Sequence, residues 1–249
     1  MTNLEGKAAL ITGSATGSGA SIALALADRG VKICVNYSKS EDDALETLEK
    51  VRAKGVEATI FKCDVGNDQQ VMAMAAHTVH TLGRLDILVN NAGMTHFVPH
   101  TDLLGLTESM WDDIMQINVK GPFFATRAAM PHLKASGDGC IVNISSIAGL
   151  MGTGSSIAYA ASKAALNSLT KSLARAFAPE VRVNAIAPGV ILTRWVEGKE
   201  EFIERYVQKT PLHKSSEPED IAHMALYLAE ADGVTGQILV IDGGYTLGT

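Results

Sequence analysis

The chain has 249 residues, 47% of them hydrophobic and 19% charged, with a formal net charge of −6. That length suits one large α/β domain with a substantial core, and the acidic balance offers no basic footprint for nucleic acid or an anionic membrane surface. No apolar run reaches the length of a membrane span, and residues 1–7 lack the basic start and apolar stretch of a signal peptide, so a cytoplasmic protein is expected.

Short apolar runs alternate with amphipathic segments along the chain. Residues 7–12 read as a first strand and 17–29 as a helix with Ile22, Leu24 and Leu26 as apolar residues. A second strand is expected at 31–37, a charged helix at 41–54, a third strand at 56–63 and a helix at 69–81. A short fourth strand at 86–89 precedes a long helical segment, 108–134, with a break at Gly121-Pro122 because proline interrupts the helical ladder. Then come a strand at 139–144, a helix at 158–177, a strand at 181–187, a helix near 218–229 and a last strand at 237–241. Strands that are apolar throughout and separated by helices imply a parallel sheet covered on both faces. Right-handed crossovers make that a doubly wound, Rossmann-type α/β sheet of about seven strands. No repeat, low-complexity tract or Pro/Ser-rich linker divides the chain, so residues 1–249 are expected to be a single domain.

Cys34, Cys63 and Cys140 each fall in a strand-like run, and their spacing fits neither a metal site nor a redox pair; they read as small, reduced core residues. His96 and His100 share a loop, but two ligands without a third do not make a metal centre, and no metal is expected.

The first strand runs into Thr12-Gly13-Ser14-Ala15-Thr16-Gly17-Ser18-Gly19, and a helix follows at once. Glycines allow a tight turn and close backbone approach, and the free N–H groups of a helix N-terminus favour a pyrophosphate. A plain glycine-rich turn is the alternative, but the position after the first strand of an alternating pattern favours the phosphate site. Asp64, after the third strand, suits acceptance from an adenine amino group or a helix cap. Asn90-Asn91-Ala92-Gly93 closes the fourth strand, where such sheets bind ligands, and equally suits a turn.

Tyr159 and Lys163 stand at i and i+4, on one face of a helix, with Ser146 upstream. A free phenol has a pKa of about 10, and a fixed ammonium nearby lowers it toward the range useful for proton transfer. Alone, such a pair is more often a solvated surface pair, so its meaning depends on the segments around it.

Together these segments resemble the classical short-chain dehydrogenase/reductase family over nearly the whole chain. The resemblance runs in order through Thr12 to Gly19, Asp64, Asn90 to Gly93, Asn118, Ser146, Tyr159 with Lys163, Pro188-Gly189, Thr193 and Asp242-Gly243-Gly244. It implies Tyr159 as general acid/base, Lys163 as holder of the nicotinamide ribose and tuner of the phenol, and Ser146 as donor to the substrate oxygen. Asn118 would hold a water linking Lys163 to solvent, and Ser146 matches the family spacing better than its neighbour Ser145. Hydride transfer would then be the cofactor's work, and placement and electrostatics the protein's. The dinucleotide would lie against Gly13, Thr16, Gly17, Ser18, Gly19, Ser38, Lys39, Asp64, Val65 and Asn91 to Gly93. Tyr159, Lys163, Pro188, Gly189, Ile191 and Thr193 complete the implied cofactor set.

Cofactor choice turns on Asn36-Tyr37-Ser38-Lys39 at the end of the second strand. Tyr37 occupies the position where the family carries the acid that repels a 2′-phosphate, and Lys39 is close enough to pair with one. Thr16 replaces a basic residue common in NADP-preferring members. On balance NADP(H) is favoured, with NAD(H) as the alternative.

Two departures stand out. Ser18 replaces a branched apolar residue, and Leu212-His213-Lys214-Ser215 replaces a Gly/Arg pattern after Pro211. Substrate contacts are expected from His96, Ser146, Met151, Tyr159 and Trp195, with Phe97, Val190 and Val196 nearby; ordinary loop packing is the competing reading for the loop residues. Residues 190–215 should form a mobile lid. The expected activity interconverts a ketone or aldehyde and a secondary alcohol. A second reading is reduction of a 3-oxoacyl group on an acyl carrier protein, against which stands the lack of a basic cluster in the sequence. A third, a nucleotide-sensing regulator without catalysis, sits poorly with the presence of Asn118, Ser146, Tyr159 and Lys163 together. The resemblance also implies a homodimer or homotetramer built on the helices holding residues 118–134 and 159–177.

Overall fold

The structure, a computed structural model, describes residues 1–248. Seven parallel strands form one sheet in the order β3-β2-β1-β4-β5-β6-β7. They are β1 (Ala8–Ile11), β2 (Lys32–Tyr37), β3 (Ala58–Lys62), β4 (Ile87–Asn90), β5 (Gly139–Ile144), β6 (Val181–Pro188) and β7 (Ile238–Ile241). The helices are α1 (Gly17–Ala27), α2 (Glu41–Arg52), α3 (Asp68–Leu82), α4 (Glu108–Met115), α5 (Gly121–Ala135), α6 (Ala148–Met151), α7 (Ile157–Phe177), α8 (Glu200–Lys209) and α9 (Pro218–Glu230). The doubly wound sheet expected from the alternation is present, and every strand expected from the sequence is found near its expected place.

Strand alternation divides the core in two. Ala9, Ile11, Ile33 and Val35 point to one face and pack with Ile22 and Leu26 of α1 and Ile221 and Leu228 of α9. Ala8, Leu10, Cys34 and Leu88 point to the other and pack with Met74 of α3 and Leu133 of α5. All three cysteines are free and buried, as expected, and burial pushes the Cys34 and Cys63 thiols up to about 12, which leaves them unreactive.

The sheet order reverses beside β1, which pairs with β2 on one side and β4 on the other. The strands' carboxyl ends diverge there and open a crevice.

The long helical segment breaks slightly earlier than expected. A π-helical turn, Gln116–Lys120, joins α4 to α5, and the Gly121 N–H reaches back to the Gln116 carbonyl. Pro122 at the start of α5 has no N–H to give the Asn118 carbonyl, so the ladder widens just before the proline. Gly121 also lies against Val65, where a Cβ would come within 3.0 Å of that side chain.

Candidate active site

The β1–α1 loop is built by side chains of neighbouring strands. Thr12 Oγ1 accepts from the N–H groups of Asn91 and Ala92, both at 3.0 Å. Asn91 Nδ2 donates to the carbonyls of Thr12 and Gly13 at 3.0 and 2.9 Å. From β2, Asn36 Oδ1 accepts the Gly13 N–H at 2.9 Å, while its Nδ2 reaches the carbonyls of Tyr37, Phe61 and Cys63. Gly19 is required by this lattice, since a Cβ there would lie 2.5 Å from both Asn91 Nδ2 and the Gly13 carbonyl. Thr16 stands at the N-cap of α1 without a side-chain cap bond, so the first N–H groups of that helix are left for a ligand.

This loop floors one end of a cleft of about 1060 Å³. Gly13, Thr16, Gly17 and Ser18 line it with Ser38 and Lys39, and Asp64 and Val65 follow from the β3–α3 loop. Asn91, Ala92 and Gly93 line its middle, with Pro188, Gly189, Ile191 and Thr193 opposite. At the far end stand Ser146, Tyr159, Lys163 and Trp195. Asp64 Oδ1 accepts the Gly66 N–H at 2.9 Å; the cap of α3 is Asn67, so Asp64 is not spent on that helix. A cleft of this size and length, with uncapped N–H groups at one end and a lysine at the edge of β2, fits a nicotinamide dinucleotide.

Four expected residues stand outside the lining. Gly19 is buried behind the loop as a packing residue, and Asn118 is wholly buried. His96 Nε2 is buried 3.5 Å from Asp113 Oδ2, and Asp113 rather than His96 borders the cleft. Met151 is 42% exposed on α6, whose Gly149 packs directly on the backbone of Lys163 and Ala164. Neither His96 nor Met151 is among the residues that line the cleft.

Tyr159 and Lys163 lie on successive turns of α7, whose N-cap Ser156 accepts the Tyr159 N–H. The Lys163 ammonium donates to the Ile144 carbonyl at 2.8 Å and lies 5.7 Å from the centre of the Tyr159 ring. Ser145 Oγ is committed to Asn167 Oδ1 at 2.6 Å and to the Lys163 carbonyl. Ser146 instead lines the cleft and accepts only the nearby Ala148 N–H, which leaves its own proton to give. Burial pushes the Tyr159 phenol up to about 12, against a downward pull from the Ser146 hydroxyl. Burial likewise brings Lys163 down to about 8. The lowering of the phenol toward neutrality expected from the sequence is thus not found. Lys163 is buried and Tyr159 half-buried in the cleft wall, and desolvation disfavours both charged forms.

Asn118 props up this end. Its Oδ1 accepts the Met94 N–H and its Nδ2 donates to the Met94 carbonyl, each at 2.9 Å, and Nδ2 also donates to Ser162 Oγ at 3.0 Å. With the side chain so occupied, the group available to a water is the Asn118 carbonyl, which the widened turn before Pro122 leaves without its usual helix donor.

Several lining residues escape sequence reasoning. Asn36 was readable only as part of a strand, yet it ties β2, β3 and the glycine loop together. Arg194 is another; it follows Thr193 in a short 3-10 turn with Trp195, which was expected at the site and whose ring lies 6.1 Å from that of Tyr159. Tyr206 on α8 donates from its hydroxyl to the Asp242 carbonyl at 2.7 Å and stacks on Tyr245 at 4.9 Å. It fits because residue 189 is glycine; a Cβ there would overlap the Tyr206 hydroxyl. The pair Gly189 and Tyr206 was legible as a small residue and an aromatic, but not as partners.

Comparison with known proteins agrees with this geometry. A family model described as enoyl-(acyl carrier protein) reductase matches residues 13–246. The chain is 42% identical over 243 residues to a protein named as ketoacyl reductase 2 of the granaticin polyketide synthase of Streptomyces violaceoruber, covering 96% of each chain. It is 37% identical over 242 residues to a protein named 3-oxoacyl-(acyl-carrier-protein) reductase FabG of Staphylococcus aureus, covering 96% of this chain and 97% of that one. Among solved structures, a short-chain type dehydrogenase/reductase from Mycobacterium marinum superposes with a TM-score of 0.92 at 34% identity, over 99% of this chain and 98% of the other. A blue fluorescent protein from a metagenomic library, solved with NADPH, gives 0.90 at 35% identity, over 98% and 99%.

Proposed function

Since the chain belongs to the short-chain dehydrogenase/reductase family and is therefore an oxidoreductase, we propose that it reduces a ketone or aldehyde to an alcohol, reversibly, with NADP(H) favoured over NAD(H). The observation that carries this reading is the meeting of Ser146, Tyr159 and Lys163 at one end of a cleft whose other end is a glycine-loop phosphate cradle.

Bound there, a nicotinamide dinucleotide supplies or receives the hydride. The protein's part is to manage the oxygen. Ser146 donates to the substrate oxygen, and Tyr159 passes its phenolic proton to that oxygen as negative charge develops. A phenol held near 12 is protonated at neutral pH, which suits the reductive direction. Lys163, at about 8, keeps most of its charge at pH 7 and favours the phenolate once the proton has left. The Asn118 carbonyl holds the water through which the proton is restored. At the other end, Lys39 and Ser38 supply the cation and hydroxyl that a 2′-phosphate needs, and no carboxylate occupies position 37.

The protein works as one domain, residues 1–249, with residues 190–215 as the lid over a small-molecule carbonyl or alcohol, and it acts in the cytoplasm. Among the described residues no helix is long and apolar enough to cross a membrane. Pairing through α5 and α7 makes it a homodimer or homotetramer, which light scattering tests directly. The second reading, reduction of a 3-oxoacyl group on an acyl carrier protein, is favoured by the names of two relatives.

The test is Tyr159→Phe. Carbonyl-dependent NADPH oxidation should fall by about 10²–10⁴-fold, the usual share of a positioned acid, while NADPH still binds as read by its fluorescence. Wild-type rates in this variant would remove Tyr159 from the mechanism.

A further inference from the structure

The lid helix α8 carries mixed charge in sequence, but the fold sorts it. Phe202, Arg205, Tyr206 and Lys209 line the cleft at i, i+3, i+4 and i+7, one face of the helix. Glu201 and Glu204 instead border a shallow hollow on the outer surface with Gln208, and Arg205 stands at the rim between that hollow and the cleft. The roll of the helix is set by Tyr206, buried against Gly189, bonded to the Asp242 carbonyl and stacked on Tyr245. Lys209 thereby faces the cleft alone, Arg205 borders both the cleft and the hollow, and the two acids stand outside the cleft.

Neither cation is spoken for. Among the described residues no carboxylate lies within 4.0 Å of Arg205 or Lys209, and Arg205 uses only its Nε, to the Glu201 carbonyl at 3.1 Å. The acids of the cleft are engaged elsewhere: Asp113 faces His96, and Asp64 closes a turn beside the β3–α3 loop. Phe97, Trp195 and Phe202 line the same cleft, apolar surface that suits a carbon chain, with the Lys199 ammonium 4.1 Å from the centre of the Phe97 ring.

We propose that Arg205 and Lys209 form an anion subsite that receives a carboxylate or phosphate on the end of the substrate remote from the reacting carbonyl. This rests on the carbonyl-reductase reading above and narrows it to ketones that carry a negative charge. An arginine offers a two-pronged donor to either anion and a lysine a mobile point charge, so both groups can be held.

The experiment measures NADPH oxidation with three matched ketones: a keto acid, a keto phosphate of the same chain length, and the methyl ester of the keto acid. The wild type should prefer the anions through KM. In an Arg205→Ala/Lys209→Ala variant the ratio of kcat/KM for keto acid to ester should drop about tenfold, with Lys209→Glu dropping it further, and salt should erode the wild-type ratio. The better of the two anions identifies the group. A wild type that turns over the ester as well as the anions, or variants that lower all three alike, would overturn the subsite. Calorimetric binding of the keto acid that is lost in the double variant, with no turnover of any ketone by the wild type, would keep the subsite and overturn the reductase reading.

Discussion

Arg194 lays its guanidinium on the Asp43 carboxylate in a two-pronged pair, Nη1 to Oδ2 at 2.7 Å and Nη2 to Oδ1 at 2.8 Å. The two residues come from opposite banks of the cleft. Asp43 is in the first turn of α2, just beyond Lys39, and Arg194 follows Thr193, whose methyl group faces Gly17. The pair therefore bridges the two banks beside the glycine loop. Exposed ion pairs add little to stability, but one that must open for a ligand to leave acts on the rate. Arg194→Ala or Asp43→Asn should speed NADPH release a few-fold in stopped-flow, with little change in melting temperature. Raised salt should have the same effect on the wild type and none on the variants.

Gly189 and Tyr206 make a packed pair, and a side chain at 189 would have to displace the tyrosine. Gly189→Ala should lower the melting temperature, because the Asp242 carbonyl loses its buried donor at a cost of about 1–3 kcal/mol. It should also raise substrate KM, since α8 loses its anchor. Tyr206→Phe in the same background removes the hydroxyl that collides and should recover part of the KM loss; no recovery would mean the collision is not the cause.

Lys163 carries a pH signature. Its folded value, about 8, lies below the roughly 10.5 of an unfolded lysine, so between these values the unfolded chain binds more protons. Wild-type stability should therefore gain on that of Lys163→Met as pH rises from about 8 to 10.5, by an amount on the order of 3 kcal/mol. Tyr159 acts oppositely and later. Its raised value of about 12 stabilises the fold below about pH 10, and that contribution is lost as pH climbs toward 12. Melting curves of both proteins from pH 7 to 10.5 check this; a constant gap between them would contradict a buried, depressed lysine.

Lys39 and Ser38 line the cleft where β2 ends, and no acid stands at Tyr37. Lys39→Glu both removes attraction and adds repulsion for a 2′-phosphate. The ratio of kcat/KM for NADPH to that for NADH should fall at least about tenfold, a change worth roughly 1.4 kcal/mol. An unchanged ratio would place the phosphate elsewhere.

The fold was legible because two periodicities and a set of short punctuated motifs are local properties. Apolar runs of strand length between amphipathic helices specify a covered parallel sheet, and the Thr12–Gly19 and Tyr159–Lys163 segments carry their spacing in the chain itself. The sequence by itself thus determined the sheet and the family, and it carried the segments proposed here as phosphate cradle and proton carrier. What needed tertiary structure is whatever depends on two distant segments meeting. Asn36 reads as strand filler until the fold sets it under Gly13. His96 and Met151 read as substrate contacts, and the fold leaves both out of the cleft lining while bringing Asp113 into it. The basic cluster missing from the sequence appears only when Tyr206 fixes the roll of α8 and turns Arg205 and Lys209 to the cleft. Even the chemistry of Tyr159 changed: proximity to Lys163 argued for a lowered phenol, but burial, which no local pattern reports, raises it, and the Ser146 hydroxyl offsets only part of that rise.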